Sequence, residues 1–394
     1  MMTVGVAVGQ VAGRESFLLS TRSVELAVTV VGGHLAPVTF YTGSARPVQP
    51  YSVAPWAEEP IPTGTPPVLA TLRGDFFCSA FGANEEPVRG QRLPLHGETA
   101  NDRWEWLEGG ECGAGAWMRL GMDLPLQGGR CEATTALLAE HSVIYQRHDF
   151  SGLTGRINPG HHATLSLPDT FWAGRLSFSR IRFAHTSPEP LESVSTRGAS
   201  ALAPNVEIKD VTSVRCADGS VADLTRYPDR RGFEDIAIVC ADPKVPLAWS
   251  AVTVPQKGYL WFAMRNPTQL ASTLLWFSNG GRRYPPWNGR HLNVLGIEDM
   301  TGFFHIGLAT SCRPNLLNGH GVPTALEPGP EGRLSVPYIQ GVARIPPDFD
   351  CLVHIELGPG TDEIVLHAES GRVVVMKCCL DFLRMGRLEG LGFE

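Results

Sequence analysis

The sequence of 394 residues contains no run of about 18 apolar residues, so no membrane-spanning helix is expected. Cations are not in excess: 33 Lys and Arg stand against 40 Asp and Glu, a formal net charge of −7. No stripe of Lys and Arg gathers to track phosphates, which argues against nucleic acid as a partner. The nine cysteines, from Cys78 to Cys379, include no CxxC pair, and no HExxH spacing or Cys/His cluster occurs. Neither a zinc site nor a dithiol redox site is therefore expected. Gly280-Gly281 lacks the strand, helix and Lys-Ser context of a phosphate-cradling loop, and no cofactor is expected. Met1 to Gln10 lacks the basic segment and continuous apolar core of a secretory leader. Together with the odd cysteine count, that points to free thiols in a reducing cytoplasm. Adjacent Cys378 and Cys379 would diverge on a strand and make poor bridging partners. Repeats of fixed period are missing too, which removes solenoids and propellers.

What the chain does have is punctuation. With 43 Gly and 31 Pro, elements must be short and turns many. The apolar content of 43% against 19% charged residues is that of a folded chain, not a disordered one. Runs rich in Val and Ile, four to eight residues long, recur at Val24 to Val30, Val206 to Thr212, Ile236 to Cys240 and Ala248 to Val254. Others lie at Leu352 to Leu357, Glu363 to His367 and Arg372 to Met376. Bounded by Gly, Pro, Asp or Ser, they read as strands. Helical periodicity is confined to Thr134 to Glu140 and to Pro188 to Ser195, after the capping-type Ser187. Strands without regular intervening helices disfavour a parallel sheet. The expected fold is all-β, a large antiparallel β-sandwich with few short helices, formed by residues 1–394 as one domain. Pro47 to Pro67 carries seven prolines, so it cannot be a sheet strand. Its Tyr51 and Trp56 predict a loop packed back onto the body.

Polar residues concentrate in four places: Leu72 to Asn84, Leu93 to Glu98, Asn158 to Leu167, and Trp276 to Asp299. Most isolated histidines, such as His34, His305 and His354, read as hydrogen-bonded structural groups. His161 and His162 are neighbours that diverge on a strand, so they do not share a metal ion. Glu298 and Asp299 are separated by the same alternation. Positions 296 and 298 would share one face, and 295, 297 and 299 the other.

In order along the chain, these segments resemble the aldose 1-epimerase, or galactose mutarotase, family and its bacterial relatives. Val31-Gly32-Gly33-His34-Leu35-Ala36 looks like the family's early strand, and Leu95-His96-Gly97 is similar to its Leu-His-Gly element. His162-Ala163-Thr164-Leu165-Ser166-Leu167 resembles its His-x-Tyr-Phe-Asn-Leu strand, with Thr164 and Leu165 where an aromatic pair is usual. Leu295-Gly296-Ile297-Glu298 resembles the strand that ends in its catalytic glutamate. The likeness spans from about residue 24 to about residue 310.

The resemblance implies a β-sandwich with an open cleft that binds a monosaccharide or modified sugar, and it implies roles for the matching positions. Glu298 would take the proton from the anomeric hydroxyl, His162 would protonate the ring oxygen, and His96 would hold that oxygen or a neighbouring hydroxyl. His161 is the alternative cleft histidine. Arg73 stands about where the family carries an arginine, though in a Gly-Asp-Phe-Phe context, and Asn84 is the alternative match. Arg73, Asp75, Asn84 and Arg290 are expected to hydrogen-bond sugar hydroxyls. Trp276, Trp287 and Tyr284 are expected to pack on the sugar face. Asp235 and Asp242 are candidates for the family's middle aspartate. Two other functions fit the same scaffold: a sugar-binding protein without turnover, and a glycoside hydrolase or lyase. The latter needs two acids ~5–9.5 Å apart, for which Glu298 with Asp75 is the pairing to test.

Overall fold

The computed structural model describes residues 5–360 and 362–388. Met1 to Val4 of the N-terminal segment, Thr361 and residues 389–394 lie outside the described residues. Strands make up 44% of the chain and helices 8%, and the architecture is all-β.

Two large antiparallel sheets face each other. One has nine strands in the order Arg226–Tyr227, Gly174–Phe178, Ala248–Val254, Tyr259–Arg265, Leu334–Arg344, Val143–Ser151, Arg130–Leu138, Gly115–Asp123 and Glu105–Cys112. The second has seven: Ile181–Thr186, Phe233–Ala241, Ser272–Asn279, Val294–Met300, Gly160–His161 and Phe77–Cys78, with Ala163–Ser166 also paired to Val294–Met300. A four-stranded meander, Gly5–Val11 to Leu35–Phe40, adds to the central core, and a three-stranded sheet, Leu352–Leu357 to Val373–Lys377, covers the outer face of the nine-stranded sheet.

The seven-stranded sheet is buried on both faces, so strand alternation sorts its residues into two cores. Ala237, Val239, Leu275, Leu295 and Ile297 point into the core between the sheets. Ile236, Ile238, Leu274, Trp276 and Met300 point the other way, into a core closed by Trp56, Val68, Leu72, Phe76 and Trp287. The proline-rich segment does pack back onto the body. Trp56 is 1% exposed, and its indole N–H donates to the Leu69 carbonyl of the short helix Pro67–Thr71.

Three expectations are corrected. Thr134 to Glu140 is not a helix; it begins inside the strand Arg130–Leu138, where ladders to Gly115–Asp123 and Val143–Ser151 outweigh its weak helical pattern. Pro188 to Ser195 is irregular apart from a 3₁₀ turn at Val194–Thr196. The Glu192 N–H bonds Ser200 Oγ, and the Glu192 carboxylate is drawn to Arg282, so neither supports a helix. Val206 to Thr212 makes only a single bridge, His185 with Glu207, because Asp210 folds the chain by accepting from the Thr212 N–H and hydroxyl.

All nine cysteines are free thiols, and Cys78, Cys131, Cys216, Cys240 and Cys378 are buried. Among the described residues no helix is long and apolar enough to cross a membrane.

Candidate active site

The register of two strands sets the centre of the site. Gly160 lies opposite Met300 and Ala163 opposite Ile297, which places His162 opposite Glu298 on the face away from the central core. His162 Nε2 is 3.3 Å from Glu298 Oε1. Position 296 shares that face, and it must lack a side chain. A Cβ there would sit 2.7 Å from Glu298 Oε1 and 2.8 Å from Trp276 Cβ. The residue before Glu298's neighbour therefore makes room for the carboxyl group and for the indole beside it.

His96 arrives from a tight turn in which His96 and Gly97 both have positive φ, 61° and 80°. Gly97 is obligatory, since a Cβ would fall 1.9 Å from the Ser79 carbonyl oxygen. The Gly82 N–H donates to His96 Nδ1 at 3.4 Å, which assigns the ring proton to Nε2. The His96 and His162 rings meet edge-on with centroids 4.9 Å apart. Phe76 stacks on His162 at 4.4 Å, and His34 stacks on the other side of Phe76 at 4.2 Å.

These groups line a cavity of about 250 Å³ together with Trp276, Arg282, Tyr284, Trp287 and His305. That is near the lower end of small-ligand sites, the size of one compact ligand. The aromatic wall is held from behind. Glu234, on the neighbouring strand, accepts from Trp276 Nε1 at 2.9 Å, Ser278 Oγ at 3.0 Å and the Gly281 N–H at 3.1 Å. The Arg282 guanidinium lies 5.5 Å from the Trp276 centroid and 4.5 Å from that of Trp287. Arg282 Nε and the Tyr284 hydroxyl both donate to Glu192 Oε1, at 2.6 and 2.9 Å.

Burial dominates the electrostatics. It pushes the Glu298 carboxyl well above the ordinary carboxylate range, with the nearby Arg282 charge only partly offsetting the effect. It holds His162 well below 6.5, and His96 beside it adds to the depression. His96 itself is lowered to about 3 by burial and by His305 and His34. Glu234 is raised to about 7 by burial, against the pull of Arg282 and its three donors. Burial thus favours the uncharged form of the pair, a carboxylic acid beside a neutral imidazole, with one transferable proton between them.

The structure brings His96, His162, Glu298, Trp276, Trp287 and Tyr284 to one cavity. The remaining candidates lie elsewhere, each for a definable reason. Arg73 is buried, and its guanidinium donates to the carbonyls of Thr71, Val11 and Ala12. Asp75 and His161 are turned by strand alternation into the core between the sheets. There His161 Nδ1 is 2.8 Å from Asp75 Oδ2, Gln340 donates to the same oxygen, and Tyr338 stacks on His161. The pairing of Glu298 with Asp75 thus has no shared cavity. Asn84 ties loops together, donating to the Ala80, Gly82 and Pro94 carbonyls. Arg290 pairs with Glu59 on the surface. Asp235 accepts from the Ala201 and Leu202 N–H groups, and Asp242 pairs with Arg180. Asp299 turns inward to Arg265, as alternation requires.

Sequence reasoning passed over Arg282, His305, Glu192 and Glu234. Glu234 precedes the candidate Asp235 and sits one step along the pleat on the cavity's side, opposite Ser278. Its signal was the alternation of Glu234-Asp235-Ile236 beside the Trp276 strand.

The two facing antiparallel sheets form a galactose mutarotase-like fold. A proposed mutarotase from Salmonella typhimurium matches 87% of this chain and 95% of its own, with a TM-score of 0.56 and 12% identity. A proposed aldose 1-epimerase from Escherichia coli K12 matches 86% and 100%, with a TM-score of 0.53 and 13% identity. A galactose mutarotase-like protein from Clostridium acetobutylicum matches 87% and 99%, with a TM-score of 0.55 and 9% identity. No protein-family model matches the sequence, and no curated protein does.

Proposed function

We propose that this chain is an isomerase that interconverts the anomers of a free aldose, using Glu298 and His162 as a proton-transfer pair. The observation that carries the reading is their 3.3 Å approach inside a cavity the size of a monosaccharide, walled by Phe76, Trp276 and Trp287.

Ring opening moves one proton from the anomeric hydroxyl to the ring oxygen as the bond between the anomeric carbon and the ring oxygen breaks. The pair needs one proton for this, and the buried acid–imidazole form holds one. Shifting it from Glu298 to His162 gives carboxylate and imidazolium, the form in which Glu298 accepts from the anomeric hydroxyl while His162 delivers to the ring oxygen. Sugar hydroxyls that donate to the carboxylate favour that shift, because hydrogen bonds to the charged form lower its pKa. Rotation about the bond between the first two carbons and closure on the other face complete the exchange. Closure runs the same transfers backwards. General acid–base help of this kind contributes roughly 10²–10⁴-fold. His96, neutral with its proton on Nε2, is a hydrogen-bond donor to a sugar oxygen.

The reading includes residues 1–394 acting as one cytoplasmic unit with a sugar as its partner. It is tested by polarimetry on a panel of freshly dissolved aldoses, comparing wild type with Glu298→Gln. Acceleration that the substitution abolishes supports it; equal rates in both proteins contradict it. Among the described residues that line the cavity, Glu298 is the only Asp or Glu, and Asp75 faces the central core, so a hydrolase reading has no second acid in the lining.

A further inference from the structure

Six aliphatic side chains share the lining of the cavity with its polar and aromatic residues. Val68, Leu69 and Leu72 come from the helix Pro67–Thr71 and its end, Leu95 from the turn before His96, Leu191 from the loop that carries Glu192, and Ile236 from the strand beside Trp276. None of these side chains offers a donor or an acceptor. Among the described residues that line the cavity, Arg282 is the only Arg or Lys, and its Nε is committed to Glu192. Burial works against its charge, but Glu234, Tyr284 and Glu192 outweigh that and hold the guanidinium above its ordinary range. The cavity's one cation is therefore matched by its own anion.

From this we infer that the substrate is an uncharged aldose with an apolar substituent in place of a hydroxyl, of the 6-deoxyhexose class. A hydroxyl pressed on these aliphatic side chains loses water without gaining a partner. A phosphate meets the same side chains and a single cation, Arg282, whose charge already faces Glu192 and Glu234. A methyl group instead removes its own surface and that of the leucines from water. The inference rests on the anomer-exchange reading of the site and adds the chemistry of the group remote from the reacting carbon.

The test uses matched pairs that differ only at that group, with exchange between anomers measured by magnetisation-transfer NMR. The pairs are 6-deoxy-D-galactose with D-galactose, and 6-deoxy-D-glucose with D-glucose, with D-glucose 6-phosphate added as the charged member. The expected result is a kcat/KM roughly 10- to 100-fold higher for the deoxy sugar of each accelerated pair, and the lowest value for the phosphate. Leu69→Asn and Leu191→Asn alter half-buried wall positions, and each is expected to narrow the preference by giving the hydroxyl a partner. Equal or reversed preference in an accelerated pair overturns the inference and leaves the anomer-exchange reading standing. Acceleration of no aldose overturns both.

Discussion

Gly296 and Glu298 stand two residues apart on one strand and on one face of it, and the missing side chain of the first is the space that the carboxyl group of the second occupies. A Cβ at position 296 would lie 2.7 Å from Glu298 Oε1 and 3.2 Å from Trp276 Cε3. Gly296 does not need glycine for its backbone conformation, because its φ is not positive. Gly296→Ala should therefore fold as a strand yet push the carboxyl and the indole out of place. Displacements near 1 Å cost on the order of 10²-fold in rate. The expected outcome is a comparable loss of kcat with a melting temperature lowered by only a few degrees. Unfolding of the variant would instead make Gly296 a packing residue alone.

The proton pair predicts the pH profile. Adding a proton to the neutral pair charges His162, which burial holds well below 6.5. Removing one ionises Glu298, which burial holds well above 4.5. The enzyme-dependent part of kcat/KM should be flat around pH 7 and fall on both sides. A single limb rising through pH 4.5 would mean that Glu298 acts as an ordinary exposed carboxylate.

Stability should fall as the solution is acidified. His34, His96 and His291 are each lowered to about 3 by burial, so below their unfolded value of 6.5 the unfolded chain binds protons that the folded one does not. Each contributes a loss on the order of 2 kcal/mol between pH 6.5 and 4.5. Glu234 runs the other way. Its folded pKa is raised to about 7, so the stability it adds is full below 4.5 and is lost as pH rises through 7. Thermal melts from pH 4.5 to 8 should show a net decline on the acid side, because the buried histidines outnumber the raised carboxyls. In Glu234→Gln, the melting temperature relative to wild type should climb between pH 5 and 8; a parallel curve would remove Glu234 from the titration.

Arg73 should be structural. Its three carbonyl partners join the end of the helix Pro67–Thr71 to the first hairpin. Arg73→Leu leaves these carbonyls without a charged donor at a cost of about 2–4 kcal/mol. Chemical denaturation should register that loss, while kcat of the folded variant stays near wild type. A large fall in kcat with unchanged stability would instead place Arg73 at the substrate.

How much of this was legible in the chain follows from the period of a strand. Val24 to Val30, Ala248 to Val254 and Leu352 to Leu357 announce themselves because alternation and β-branching are local properties. The opposite facing of Glu298 and Asp299 follows from the same local rule. Which of His161 and His162 faces the cavity does not, because both faces of that sheet are buried and both histidines have polar partners. Arg73 and Asp75 looked like sugar ligands because charge in an apolar context marks either a site or a buried structural pair. Only the fold tells which: Asp75 meets Gln340 from the far sheet, 265 positions away in the chain. Arg282 and Glu234 were hidden for the complementary reason. Glu192, Glu234 and the stretch from Trp276 to Arg282 are three separate segments, and no short motif contains these contacts.

The most direct measurement follows anomer exchange of an accelerated aldose by NMR at pH 7 with wild type, Glu298→Gln and His162→Gln, each shown to be folded by its melting curve. A fall of at least about 10²-fold in kcat for either single variant is predicted. The double variant should be scarcely slower, because the two side chains move one proton as a unit. Wild-type rates in either folded single variant would contradict the assignment of that proton to Glu298 and His162.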